Sequence, residues 1–168
     1  RSGWLAAVLA LACGAAAGQS YPSMPVRLIA PFAPGGGLDA TARLIAQRLT
    51  ANFGQTVIVD NRPAVDGVVG TELVAKANPD GYTLLMVNMS HAINAAIGRK
   101  LPYDTLRDFA PITQTNDQQL LLVVIPLLDV KSVAELVALL KARPGAFSYG
   151  SSSSATALPM ELFKSMTG

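Results

Sequence analysis

The chain has 168 residues, 51% of them hydrophobic and 14% charged, with 14 Gly and 11 Pro; that is one globular domain's worth of polypeptide and excludes a disordered or collagen-like chain. Thirteen Lys and Arg against eleven Asp and Glu leave a formal charge of +2, too small and too evenly scattered for the phosphate-backbone footprint of a nucleic-acid binder. The positive mean hydropathy comes largely from the first stretch and from scattered Ala and Val, so composition alone names no function.

Residues 4–17, WLAAVLALACGAAA, form an apolar run that follows Arg1 and closes on the small residues Ala15, Ala16 and Ala17. A membrane span needs about 20 apolar residues. This shorter, Ala-rich run followed by Gly18, Gln19 and Ser20 reads as a cleaved secretory signal peptide over residues 1–17. The first residue is Arg, not Met, so an incomplete N-terminus is expected. Cys13 is the only cysteine; cleavage near Ala17 removes it and leaves no thiol for disulfides, metal or redox chemistry. The minority alternative makes Cys13 the lipidated first residue of a lipoprotein, with Ala10 where a Leu is usual.

Past that segment, residues 26–32 (VRLIAPF) read as a buried strand that runs into Ala33-Pro34-Gly35-Gly36-Gly37. A helix follows from about Asp39 to Phe53, with Leu38, Ala42, Ile45, Leu49 and Phe53 on one face and Gly54 as its stop. Residues 56–60 are a second strand, about 67–77 a second helix, Asn78-Pro79-Asp80-Gly81 a turn, and 82–88 a third strand. Short continuous apolar strands alternating with helices predict an α/β fold with a parallel sheet covered on both faces. Residues 18–111 then form a first α/β lobe. Residues 112–168 form a crossing and part of a second lobe: two apolar pieces split by Gln114–Gln119, a helix opened by Ser132-Val133-Ala134-Glu135 with Val133, Leu136, Val137 and Leu140 buried, a strand from Phe147 to Tyr149, and an amphipathic piece with Leu162, Phe163 and Met166. One helix and two strands bury their faces poorly, so a truncated C-terminus is expected.

The chemistry points to Pro31-Phe32-Ala33-Pro34-Gly35-Gly36-Gly37-Leu38-Asp39. Glycines between a strand and a helix let a ligand approach the backbone, and free N–H groups in a first helical turn bind an anion, a carboxylate or a phosphate; a tight turn alone is the plainer reading. Gly35, Gly37 and Ala40 also satisfy G-x-G-x-x-A, with Asp60 23 residues beyond Gly37, the dinucleotide fingerprint. The alternative function is therefore a dinucleotide-dependent oxidoreductase using Gly35, Gly37 and Asp60, against which Pro31 and Pro34 interrupt the junction. His91 is the only histidine, so His-pair metal sites are out, and no G-x-S-x-G elbow exists. Catalysis is not expected: Ser90 and His91 are chain neighbours that rarely meet in triad geometry, and with Asn94 they follow the carboxyl end of a parallel strand as cleft walls. Ser151 to Ser154 with Thr156 hold a ligand oxygen or cap the following helix. Arg62 is either a ligand's ion-pair partner or a solvated turn residue.

Taken in order, six blocks resemble one family: Tyr21-Pro22-Ser23-x-Pro25-Val26-Arg27, the stretch at 31–39, Asp60-Asn61-Arg62-Pro63, Asp80-Gly81-Tyr82-Thr83-Leu84-Leu85, Leu101-Pro102-Tyr103-Asp104 and Asp108-Phe109-Ala110-Pro111-Ile112. From about Tyr21 to Gly168 the chain is similar to the extracytoplasmic solute receptors of tripartite tricarboxylate transporters, the Bug or TctC type. The resemblance implies a type II periplasmic-binding fold of two lobes with parallel-rich sheets, the second incomplete here. It also implies a periplasmic, monomeric receptor without catalysis, cofactor or metal. Such a receptor closes on a small carboxylate (tricarboxylate, dicarboxylate or acidic amino acid) and passes it to membrane permease subunits. By that resemblance Pro34, Gly35, Gly36 and Asp39 hold the carboxylate, partly through water, Ser90 and His91 line the cleft, and Ser151, Ser152 and Thr156 form the far wall.

The chain departs from the family at three places. Asn61-Arg62-Pro63-Ala64-Val65-Asp66-Gly67 stands where the family has N-R-P-G-A-G-G, and Asp66 would repel a carboxylate if it faced the cleft. Ser153-Ser154-Ala155 replaces Gly-x-Gly, Pro159 replaces a usual His, and about two residues are missing before Glu161. Family members are nearly twice as long, so the chain reads as a fragment or a degenerate copy.

Overall fold

The computed structural model describes residues 20–168; the apolar run at 4–17, with the signal-peptide and Cys13 readings, lies outside the described residues. Three strands, β1 (Val26–Ala30), β2 (Val57–Asn61) and β3 (Thr83–Leu85), form one parallel sheet in the order β2-β1-β3. Val26 is in register with Val57, and Leu28 with both Val59 and Leu84. Central β1 is the most apolar strand because it is covered on both faces: Val26, Leu28, Ile29 and Ala30 are all buried.

Helix α1 (Gly37–Phe53) covers one face. Ala42 and Ala46 join Val26, Leu28, Ala30, Val57 and Met86 in the core, flanked by Leu38, Ile45, Leu49 and Phe53. The expected stripe is therefore the packed stripe, widened by Ala46 because a helix face needs more than an i, i+4 line. Gly54 ends α1 in the left-handed region at φ 67°, its N–H bonded to Thr50 O at 3.1 Å. Helix α2 (Val68–Ala75) follows a short turn at Val65–Gly67 and presses Gly70 against Pro31, where a Cβ would stand 2.7 Å from the Pro31 Cβ. Helix α3 (Ser90–Ala96) leaves β3 almost at once, so the third strand is three residues long, shorter than the expected 82–88.

Beyond residue 111 the structure corrects the expectation further. Residues 112–125 carry no strand pairing, and Leu120 to Ile125 are exposed. Helix α4 (Val133–Ala142) buries Leu136 alone, leaving Val133 exposed. Its Ser132 cap accepts from Glu135 N at 3.2 Å, while the Glu135 carboxylate reaches back to Lys131 N at 2.8 Å, one residue before the cap. No strand forms at Phe147–Tyr149, because a lone extended segment has no ladder to pair with. Helix α5 (Ser154–Thr167) includes Pro159 and keeps Leu162 and Met166 exposed; its first turn docks on α3. Among the described residues no helix is long and apolar enough to cross a membrane.

Candidate functional site: the groove at the strand ends

With β1 in the middle, the chain leaves it for β2 on one side and returns on the other as β3. The carboxyl ends of β1 and β3 therefore diverge at a topological switch point, where open α/β sheets take their ligands. A groove of about 1190 Å³ opens there. Phe32, Ala33, Gly36, Gly37 and Leu38 line it from the β1 loop and the start of α1, and Leu85 to Met89 with His91 from the β3 side. Thr113 to Gln118 of the crossing segment and Ser152, Ser153, Ala155 and Thr156 complete it.

The β1 loop is built around Asp39. Its carboxylate accepts from Gly35 N at 2.9 Å, Arg43 Nε at 3.0 Å and Asn61 Nδ2 at 3.0 Å. The residue is 4% exposed. Hydrogen bonds from Arg43 first, then from Gly35 and Asn61, lower its pKa to about 2, so it is ionised and internally satisfied at neutral pH. Gly35 meets it at φ 85°, a backbone conformation that costs a side-chain-bearing residue about 1–2 kcal/mol. The loop is thereby folded so that α1 starts at Gly37 with no side-chain cap, and no acceptor among the described residues engages the Gly37 or Leu38 N–H groups. Uncapped N–H groups at the positive end of a 17-residue helix are suited to an anion.

On the β3 side Ser90 is fully buried, and its Oγ accepts from Ala155 N at 3.3 Å. His91 reaches the groove between Tyr103, stacked at 5.9 Å, and Phe109, edge-on at 5.2 Å. Burial against these rings pushes its pKa below the usual histidine range, so at neutral pH the imidazole is uncharged. At the far wall the capping role of the serine loop is realised: Ser153 caps α5 reciprocally with Thr156, and Ser151 Oγ lies 3.1 Å from Thr156 Oγ1.

Of the residues named from the sequence, Gly36, His91, Ser152 and Thr156 line the groove. Pro34, Gly35, Asp39, Ser90 and Ser151 stand behind it, shaping the loop, bridging to α5 or bracing the cap. Sequence reasoning missed the amides of Gln114, Asn116 and Gln118; the polar run at 114–119 inside an apolar segment carried that signal. Asp66 does not stand free as a repelling acid, since its carboxylate pairs with Arg99 Nη1 at 2.7 Å and accepts from Ser154 N at 2.7 Å. Burial alone would raise its pKa, but these bonds outweigh it and hold the carboxyl below the usual range. The dinucleotide alternative loses its acid and its junction: Arg27 and Arg62 engage both Asp60 oxygens, and β1 ends at Ala30, five residues before Gly35. Arg62 is thus an ion-pair partner within the chain.

Residues 41–168 match the family described as the tripartite tricarboxylate transporter family receptor. The chain is 40% identical over 154 residues to Protein BugT of Bordetella pertussis, covering 89% of this chain and 47% of that one. Over 165 residues it is 37% identical to a second B. pertussis protein, covering 95% and 50%. A solved periplasmic transporter superposes with a TM-score of 0.76 at 37% identity, over 88% of this chain and 51% of its own. An R. palustris protein solved with adipate also gives a TM-score of 0.76, at 36% identity over 88% and 50%, and the malate-bound MatC of Rhodopseudomonas palustris gives 0.66 at 30% over 73% and 42%. The chain spans about half the length of the curated relatives it matches. An α/β sheet with its crevice at the switch point, six ordered sequence blocks and a family match over residues 41–168 lead to one conclusion: this chain belongs to the receptor family of the tripartite tricarboxylate transporters.

Proposed function

We propose that the chain serves as a periplasmic solute receptor, without catalysis of its own, that binds a small carboxylate in the groove between β1 and β3 and delivers it to the membrane permease of a tripartite transporter. The observation that carries this reading is the uncapped start of α1, where Gly36, Gly37 and Leu38 line the groove. In this reading one ligand carboxylate sits on those N–H groups. Asp39 and Gly35 hold the loop in shape, His91 and Ser152 contact the ligand's flank, and the Gln118 amide, 3.5 Å from where a Cβ of Gly37 would stand, closes over it. Solved relatives carrying adipate and malate support the carboxylate class.

Thermal unfolding with a panel of mono- and dicarboxylates tests the proposal. A bound acid at 100 times its Kd adds about 2.7 kcal/mol, which raises the midpoint by several degrees at roughly 2–4 °C per kcal/mol. A midpoint that no carboxylate moves overturns it.

A further inference from the structure

The chain carries eleven Asp and Glu residues, and it satisfies most of their carboxylates itself. Asp39, Asp60, Asp66, Glu72, Asp104 and Glu161 pair with Arg or Lys, and Asp80, Asp108 and Glu135 accept from backbone N–H groups. Among the described residues only Asp117 and Asp129 are left without a partner, and of these two Asp117 alone lines the groove. It is also the only charged side chain there: no Lys or Arg lines the groove, and His91 is uncharged at neutral pH.

Asp117 sits on the crossing segment, one residue from the point where that segment meets the start of α1; Gln118 Nε2 lies 3.5 Å from where a Cβ of Gly37 would stand. Acceptors surround it. Gln114 donates its amide N–H to Asn116 O at 3.3 Å, which leaves the Gln114 amide oxygen free on a residue that also lines the groove. An ammonium group brings three N–H donors and no acceptor, so a carboxylate with an amide oxygen beside it is a fitting receiver.

We propose that Asp117 is a specificity-determining residue of the groove: its unpaired carboxylate takes an ammonium group of the ligand, so that the groove selects carboxylates that also carry an amine over dicarboxylates. The assignment rests on the carboxylate-receptor reading above and names the ligand's second group. With the positive end of α1 and the negative Asp117 in one groove, a ligand bearing both charges complements both. A second carboxylate finds no cationic side chain there and meets a like charge on Asp117. Phe32, Met86 and Met89 supply apolar wall for the ligand's carbon chain.

Calorimetric titration of the chain with 6-aminohexanoate, hexanoate and adipate tests this, because the far ends of these acids are positive, neutral and negative. The shorter set of 4-aminobutanoate, butanoate and succinate repeats the comparison over a smaller span. In at least one set the amino acid is expected to bind about fivefold or more tightly than the dicarboxylate, with the unsubstituted acid between them. High salt is expected to shrink that ratio, since Asp117 is exposed and its charge is screened. Asp117→Asn takes no bond from the fold and is expected to leave the thermal midpoint unchanged while the ratio falls to within about twofold. A dicarboxylate that binds as tightly as the amino acid in both sets, or a preference that survives in Asp117→Asn, overturns the assignment and leaves the receptor reading standing. If none of the six acids binds, the receptor reading fails and the assignment with it.

Discussion

Asp39 and Ser90 do their work one step behind the groove, and each predicts a measurable cost. Asp39 is ionised with a pKa of about 2 against an ordinary 3.8. Because the folded value is the lower one, its contribution to stability is complete above about pH 4 and is lost as the pH falls through the folded value near 2. In acid-unfolding curves Asp39→Asn is expected to lower stability at neutral pH and to flatten the loss between pH 4 and 2; a variant curve parallel to the wild type contradicts the role. Ser90 is fully buried and its hydroxyl serves Ala155 N. Ser90→Ala strands that N–H and is expected to destabilise by about 1–3 kcal/mol in urea titration. Neither role is legible in the sequence: Asp39 reads as a ligand contact and Ser90 as a cleft wall, because the partners Asn61 and Ala155 lie 22 and 65 residues away.

The loops at the sheet's carboxyl edge depend on how closely the elements behind them approach. Helix α2 reaches Pro31 because Gly70 has no side chain; an added Cβ would meet Pro31 Cβ at 2.7 Å, Pro31 Cα at 3.1 Å and Arg62 Cβ at 3.2 Å. Gly70→Ala must push α2 away from the β1 loop and is expected to destabilise by about 1–3 kcal/mol. Gly36→Ala is the control: its nearest neighbour would be Ala33 O at 3.7 Å, and its φ of −79° suits any residue. Chemical denaturation that ranks the two substitutions the other way refutes the packing argument. The helical stripe from Leu38 to Phe53 was legible because a period of 3.6 is local chemistry, whereas the demand for glycine at position 70 arises from a proline 39 positions earlier in the chain.

At the scale of the whole molecule residues 20–111 carry the sheet and its core, while residues 112–168 contribute two helices and an unpaired segment. Leu121 and Val123 are 84% and 81% exposed within an apolar run from Leu120 to Ile125. An apolar, unpaired run of this length is a template for association with another chain. The chain is therefore expected to show concentration-dependent association in sedimentation velocity, and Leu121→Lys with Val123→Lys to suppress it; a wild-type chain that stays monomeric at all concentrations contradicts this. The family resemblance implied a monomeric receptor, and in the sequence the run at 120–125 reads as buried because its exposure depends on which neighbours pack against it.

By itself the sequence determined the α/β class, the parallel strands and the face of α1 that packs, since each follows from short apolar runs and periodicity acting within a few residues. It also carried the family in six ordered blocks. Tertiary structure alone decided where the charges go. Asp60 is taken by two arginines, Asp39 turns inward, and Asp66 crosses 88 residues of chain to seat its carboxylate on α5. An acid's partners are set by which elements meet in space, and the burial that makes such a pairing selective exists only once the elements have packed.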